Sequence, residues 1–171
     1  DRKIRESSGL VASRRTPGLL WTHNDSGDGP FVYAFDRAGR SRGTFRVEGA
    51  NAIDWEDIAA GPGPARGESY LYAADIGDNG REREFVVVYR FPEPEIPAEQ
   101  SNGKDARPTQ PAEAIRLKYP DGAHNAEALA VHPTTGDIYV VTKANAEAGV
   151  YKLPAPFDPK ALNTLTKVAT L

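Results

Sequence analysis

The chain has 171 residues, with 21 basic and 24 acidic side chains for a net charge of −3, and contains neither cysteine nor methionine. The missing cysteines exclude disulfides, thiolate metal sites and cysteine nucleophiles. No basic run tracks a phosphate backbone, which argues against a nucleic-acid partner, and no apolar stretch approaches the ~20 residues of a membrane-spanning helix. The length suffices for one domain with a substantial core. A start at Asp1-Arg2-Lys3 without an initiator methionine fits a removed signal segment or a fragment, and secretion or a periplasmic location is the expectation.

In chain order, the elements repeat. Glu6 opens "ESSGLVAS", followed by "LLWTHND", "FVYAFD" and "GTFRVEG". Glu56 opens "EDIAAGPG", followed by "SYLYAAD", "FVVVYRF" and "EAIRLKY", and Glu127 opens "EALAVHP", followed by "DIYVVTK", "GVYKL" and "KVATL". Asp25 lies 19 residues after Glu6, and Asp75 lies 19 residues after Glu56, so the loops "DSGDG" and "DIGDN" align. The third unit has Thr142 at that position and has lost the acidic loop.

These are short strands punctuated by Gly, Pro, Asn and Asp, with no helical periodicity, so the expectation is all-β with twelve strands in antiparallel meanders. Residues 92–112, "PEPEIPAEQSNGKDARPTQPA", break the spacing and read as a surface excursion with a flexible tip. Four-stranded units at this period are the signature of propeller blades. Blade 1 then spans about 6–49, blade 2 about 50–120 with the 92–112 insertion, and blade 3 about 121–171, all in one domain over 1–171. Propellers usually have about 4 to 8 blades. Three are therefore expected to form half of a six-bladed ring, completed by missing sequence or by a homodimer partner.

The order "ESSGL", "LWTHNDSG", "VYAFD", "DWEDIA", "LYAADIGDN", "VYRF", "NAEALAVHP", "IYVVTKA", "VYKL" resembles bacterial six-bladed β-propellers of the esterase-like-phytase, SdiA-regulated and NHL-type group. The resemblance covers nearly the whole chain outside 92–112. It implies a divalent cation, often calcium, on the ring axis, held here by Glu6, Glu56 and Glu127.

The residues themselves point the same way. The first strand of each blade begins near the central channel, so Glu6, Glu56 and Glu127 should converge. Asp54 and Asn125 each lie two residues before a glutamate and share its face of an extended segment. Such oxygens suit Ca2+, which takes 6 to 8 of them at about 2.3–2.6 Å. The competing reading is that these glutamates accept backbone amides of the neighbouring blade and pin the sheets together.

"NDSGDG" fails as an EF-hand, because counting from Asn24 puts Phe35 where a glutamate is required. It reads first as a turn between the second and third strands, with Asp25, Asp28, Asp75 and Asp78 as secondary cation candidates. His23, beside the acidic loop, is a candidate acid–base group whose pKa a neighbouring carboxylate would raise. His124 is a pore-facing or structural histidine with no second histidine at zinc spacing. Trp21 and Trp55 are expected to pack between blades. No G-x-S-x-G elbow, P-loop or G-x-G-x-x-G is present, so no catalytic residue is assigned.

Two functions follow. One is an extracytoplasmic binding or scaffold module with an axial calcium, presenting one face to a small molecule, glycan or protein. The other is a metal-dependent hydrolase of the phosphoesterase or lactonase type, with water activated at axial carboxylates.

Overall fold

A computed structural model describes residues 3–96, 106–144 and 146–171. The described chain is all-β, with no helix, and forms three sheets. In the first, β1 (Ser7–Ala12), β2 (Leu19–Asn24), β3 (Phe31–Asp36) and β4 (Ser41–Arg46) run as an antiparallel meander. The second repeats it with β5 (Trp55–Pro62), β6 (Ser69–Asp75), β7 (Val86–Pro92) and β9 (Glu113–Lys118). The third uses β10 (Ala126–Val131), β11 (Ile138–Thr142), β12 (Gly149–Leu153) and β14 (Thr166–Thr170).

These are the twelve strands expected. Two short ones add to them: β8 (Arg107–Pro108) joins β4 in parallel, and β13 (Leu162–Thr164) joins β9 in parallel. Residues 107–108 of the 92–112 excursion are thus strand and not loop, and just beyond them Thr109 and Ala112 donate their N–H groups to Arg46 O and Glu48 O. The tip expected for that excursion falls on 97–105, outside the described residues.

Two apolar layers hold the sheets together, and the second sheet is shared between them. Trp21, Val32, Ala34 and Phe45 of the first sheet meet Ile58, Leu71, Ala73 and Tyr89 of the second. Tyr72, Ala74, Val88 and Ile115 on its other face meet Leu129, Ile138, Val140 and Tyr151 of the third. A strand buried on both faces has no solvent side to mark with polar residues, which is why β7 reads "VVVYRFP" without alternation. Both tryptophans lie in the first layer, as their expected place between sheets requires. Trp21 packs edge-on to Phe45 at 5.4 Å and donates its indole N–H to Glu93 Oε1 at 2.9 Å. Trp55 packs edge-on to His23 at 5.7 Å.

The first strands of the three sheets run side by side, β1 against β5 and β5 against β10. Glycine permits the approach. A Cβ on Gly9 would sit 2.5 Å from Ile58 N, and one on Gly61 would sit 2.4 Å from Val131 Cγ1. Polar ties cross the same seams: Ser8 Oγ donates to Glu56 O at 2.8 Å, and Leu129 N–H donates to Asp57 Oδ2 at 2.7 Å. Three meanders with adjoining first strands form an arrangement compatible with a β-propeller, and their shared first-strand openings position the candidate site.

Candidate metal centre

The β2–β3 connection, residues 25–30, reverses through Gly27 and Gly29 at φ +91° and +89°, a region that side chains with a Cβ avoid. The turn expected at "DSGDG" is therefore present, and it divides its acids. Asp28 Oδ2 accepts Asn24 Nδ2–H at 2.8 Å and the Tyr33 hydroxyl, so Asp28 braces the turn. Asp25 Oδ1 accepts the neighbouring Ser26 N–H at 2.6 Å, and among the described residues no other donor reaches that carboxylate. It meets Asp54, just before β5, and Glu56, the second residue of β5. One carboxylate oxygen from each of Asp25, Asp54 and Glu56 lies within 4.8 Å of the others, a group that could hold a metal ion.

Glu56 is only 8% exposed, and among the described residues no hydrogen-bond donor reaches its carboxylate or that of Asp54. Both groups register the strain of unpaired charge. Burial, then the carboxylates of Glu127, Asp54 and Asp25, push Glu56 from 4.5 up to about 7, with Lys143 acting the other way. Burial and the neighbouring Asp25 and Asp75 also raise Asp54. Gly77 forms the floor beneath them. A Cβ there would lie 2.3 Å from Asp54 Oδ2 and 2.6 Å from Glu56 Oε1, so only glycine leaves the two carboxylates room.

The other residues singled out by sequence divide between rim and scaffold. Glu6 is exposed, on the edge of a cleft of about 210 Å3 that it shares with Arg5, Asn24 and Asp25. Glu127 is half-buried and paired with Lys143 Nζ at 3.1 Å, an ion pair that holds the lysine's pKa up. Asn125 is a clamp: its Oδ1 accepts Asp78 N–H at 2.7 Å, and its Nδ2 reaches Glu127 Oε1 at 3.1 Å and Asn79 Oδ1 at 3.3 Å. The inter-sheet ties considered for the glutamates are made by their neighbours Ser8 and Asp57.

The acids of the second loop are satisfied by hydrogen bonds. Asp75, fully buried, accepts Asp54 N–H at 3.1 Å, Ile53 N–H at 3.3 Å and Arg83 Nη1–H at 2.8 Å. Asp78 accepts Glu82 N–H and Arg83 N–H at 3.0 and 2.9 Å.

His23 differs from expectation in its titration. It is fully buried, its Nδ1–H donates to Asn24 O at 2.7 Å, and its Nε2 has no hydrogen-bond partner among the described residues. Burial lowers its pKa and outweighs the opposing pull of Asp57 and Asp25, the reverse of the expected rise. His124 lies on the connection into β10 with Asp121 and Tyr151. Its Nε2 is 2.9 Å from Asp121 Oδ1 and 3.1 Å from the Tyr151 hydroxyl, which itself donates to Asp121 Oδ2 at 2.8 Å.

Sequence reasoning did not single out Gly77, Lys143, Asp57 or Arg83. "DIGDN" did carry a signal for Gly77, since a glycine two residues after the aspartate that ends β6 is where a close approach is to be looked for. No family model matches this sequence, and no curated protein matches it.

Proposed function

We propose that this chain is a cation-dependent β-propeller module, its three sheets contributing half of a six-sheet ring, that binds a partner across the end bearing Asp25, Asp54 and Glu56. One observation carries the reading: one carboxylate oxygen from each of Asp25, Asp54 and Glu56 lies within 4.8 Å of the others, with no donor hydrogen bond to Asp54 or Glu56 among the described residues, and like charges held so close favour a bound cation. Hard oxygen donors suit Ca2+. Asp25, Asp54 and Glu56 would supply three protein ligands, with solvent or a partner's oxygens completing the shell. The repeated first-strand packing supports the ring, and the partner at its acidic end would be a small molecule, a glycan or a protein. The expected setting is extracytoplasmic, where calcium is plentiful.

Calorimetric titration with CaCl2, alongside thermal melting with and without a chelator, tests this. One site per chain and a chelator-reversible rise in Tm are expected, both lost in Glu56→Gln. No heat and no shift with the wild-type chain overturn the reading.

A second reading, a metal-dependent phosphoesterase or lactonase, draws on one further observation. His124, whose Nε2 lies 2.9 Å from Asp121 Oδ1, stands on the connection that leads into β10, three residues before Glu127, where an imidazole could act as a general base. Calcium-dependent turnover of an aryl phosphate or a simple lactone that is lost in His124→Gln would favour it over the binding module.

A further inference from the structure

The outer strands of the first two sheets do not end in open edges. β8 lies in the connection between β7 and β9 and pairs in parallel with the end of β4, Arg107 opposite Phe45 and Pro108 opposite Arg46. The next residue, Thr109, donates its N–H to Arg46 O at 2.9 Å. β13 repeats this one sheet on. It lies in the connection between β12 and β14, pairs with Arg116, Leu117 and Lys118 of β9, and is followed by Leu165, whose N–H donates to Lys118 O at 2.8 Å. Each time the added segment belongs to the third-to-fourth-strand connection of the following sheet. Each time it joins in parallel and closes on the last residue of the outer strand.

β14 is the equivalent outer strand of the third sheet, and among the described residues it pairs with β12 alone. All five of its residues are exposed. Val168 and Leu171, at the end where β4 and β9 are covered, are 49% and 73% exposed, two of the five large apolar residues exposed among the described residues. Leu171 exchanges both its backbone hydrogen bonds with Ala148, so the N–H and C=O of Thr170 point to the open edge.

We infer that the end of β14, from Val168 to Leu171, is the docking edge for a further four-stranded unit, whose third-to-fourth-strand connection adds a short parallel strand there and donates to Thr170 O. A second copy of this chain lacks the necessary segment on its first sheet. There β3 passes to β4 through a tight turn, with Asp36 N–H donating to Arg40 O at 3.0 Å and Gly39 N–H to Asp36 O at 2.9 Å, which leaves no residues to reach across. Its two long connections already cover its own β4 and β9. The bulge at Val168 does not preclude addition, because β4 carries an extra residue, Arg42, opposite Ala34 and Phe35 of β3 and accepts β8 beyond it. The inference rests on the repeated sheets in the proposed reading and not on its cation site, so chelation leaves its test unaffected.

The test uses the full chain with amide NMR and, as probe, a synthetic peptide copying residues 154–165, the connection that covers β9. Millimolar peptide should shift the amide signals of residues 168–171 and slow exchange of the Thr170 amide, with affinity falling roughly fivefold or more in a Val168→Glu, Leu171→Glu double variant. A scrambled peptide should do neither. Unmoved signals overturn the inference, as do shifts confined to Arg116–Lys118 or shifts that survive the double variant. Light scattering that finds a dimer with the Thr170 amide already protected, in the absence of peptide, overturns it in favour of a second copy.

Discussion

The connections after β2 and β6 begin from nearly the same words, "DSGDG" and "DIGDN", and end in different roles. In the second sheet, Asp75 and Asp78 are consumed by backbone amides and by Arg83, which also donates to Gly77 O at 2.8 Å. In the first sheet, Asp28 is consumed by Asn24 and Tyr33, and no arginine occupies the corresponding turn, so Asp25 remains available to Asp54 and Glu56. An aspartate becomes scaffold or site according to the donors that reach it: Asp75 takes Arg83 from its own loop and the amides of Ile53 and Asp54 from the segment before β5. The spacing of the two acids is common to both loops; the donors differ, Arg83 and the amides of Ile53 and Asp54 serving the second loop alone.

The comparison is broken most severely by removing the buried partner. Asp75→Ala leaves Arg83 with its charge largely buried and frees the amides of Ile53 and Asp54, and should cost about 3 kcal/mol or more in chemical denaturation. A loss below about 1 kcal/mol would show that Arg83 finds solvent instead. Gly77→Ala drives a methyl into Asp54 Oδ2 and Glu56 Oε1, and should cost about 1–3 kcal/mol in stability and weaken calcium binding roughly tenfold or more. Retained affinity in that variant would detach the floor from the site.

The pH dependence sharpens the contrast, because Glu56 has a folded pKa of about 7, raised from 4.5. Raising it favours the protonated form on folding, so this contribution to stability is fully present below about 4.5 and is lost as pH rises towards 7. Melting curves in chelator should fall across that window, and saturating calcium should abolish the fall, since the ion binds the ionised carboxylate. Glu56→Gln should flatten the profile without calcium. The smallest effect is at the seam beside the site: Ser8→Ala removes the hydroxyl bond to Glu56 O and should cost about 0.5–1.5 kcal/mol with calcium affinity unchanged.

Much of the sheet architecture was legible in the sequence because strand repeats write themselves into local pattern. The twelve meander strands, the two tryptophans between sheets and the turn at residues 25–30 all follow from apolar runs separated by Gly, Asn and Asp. The parallel additions β8 and β13 were not legible, since two or three residues in a connection carry no periodicity and gain their partners only when a neighbouring sheet arrives. The site divides along the same line. Glu56 and Asp54 could be picked out from their repeat position and spacing, whereas ranking Asp25 beside them required knowing which acids the turns had already satisfied.

The sequence alone therefore determined which segments extend, where they reverse and which acids stand at the openings of the sheets, because those depend on neighbours within a few residues. Tertiary structure alone decided that Asp25 meets Asp54 and Glu56, that Gly77 makes room for them and that burial lowers the pKa of His23. Each of these depends on the distance and desolvation between chain segments far apart in sequence, quantities that only the packing of one sheet on the next sets.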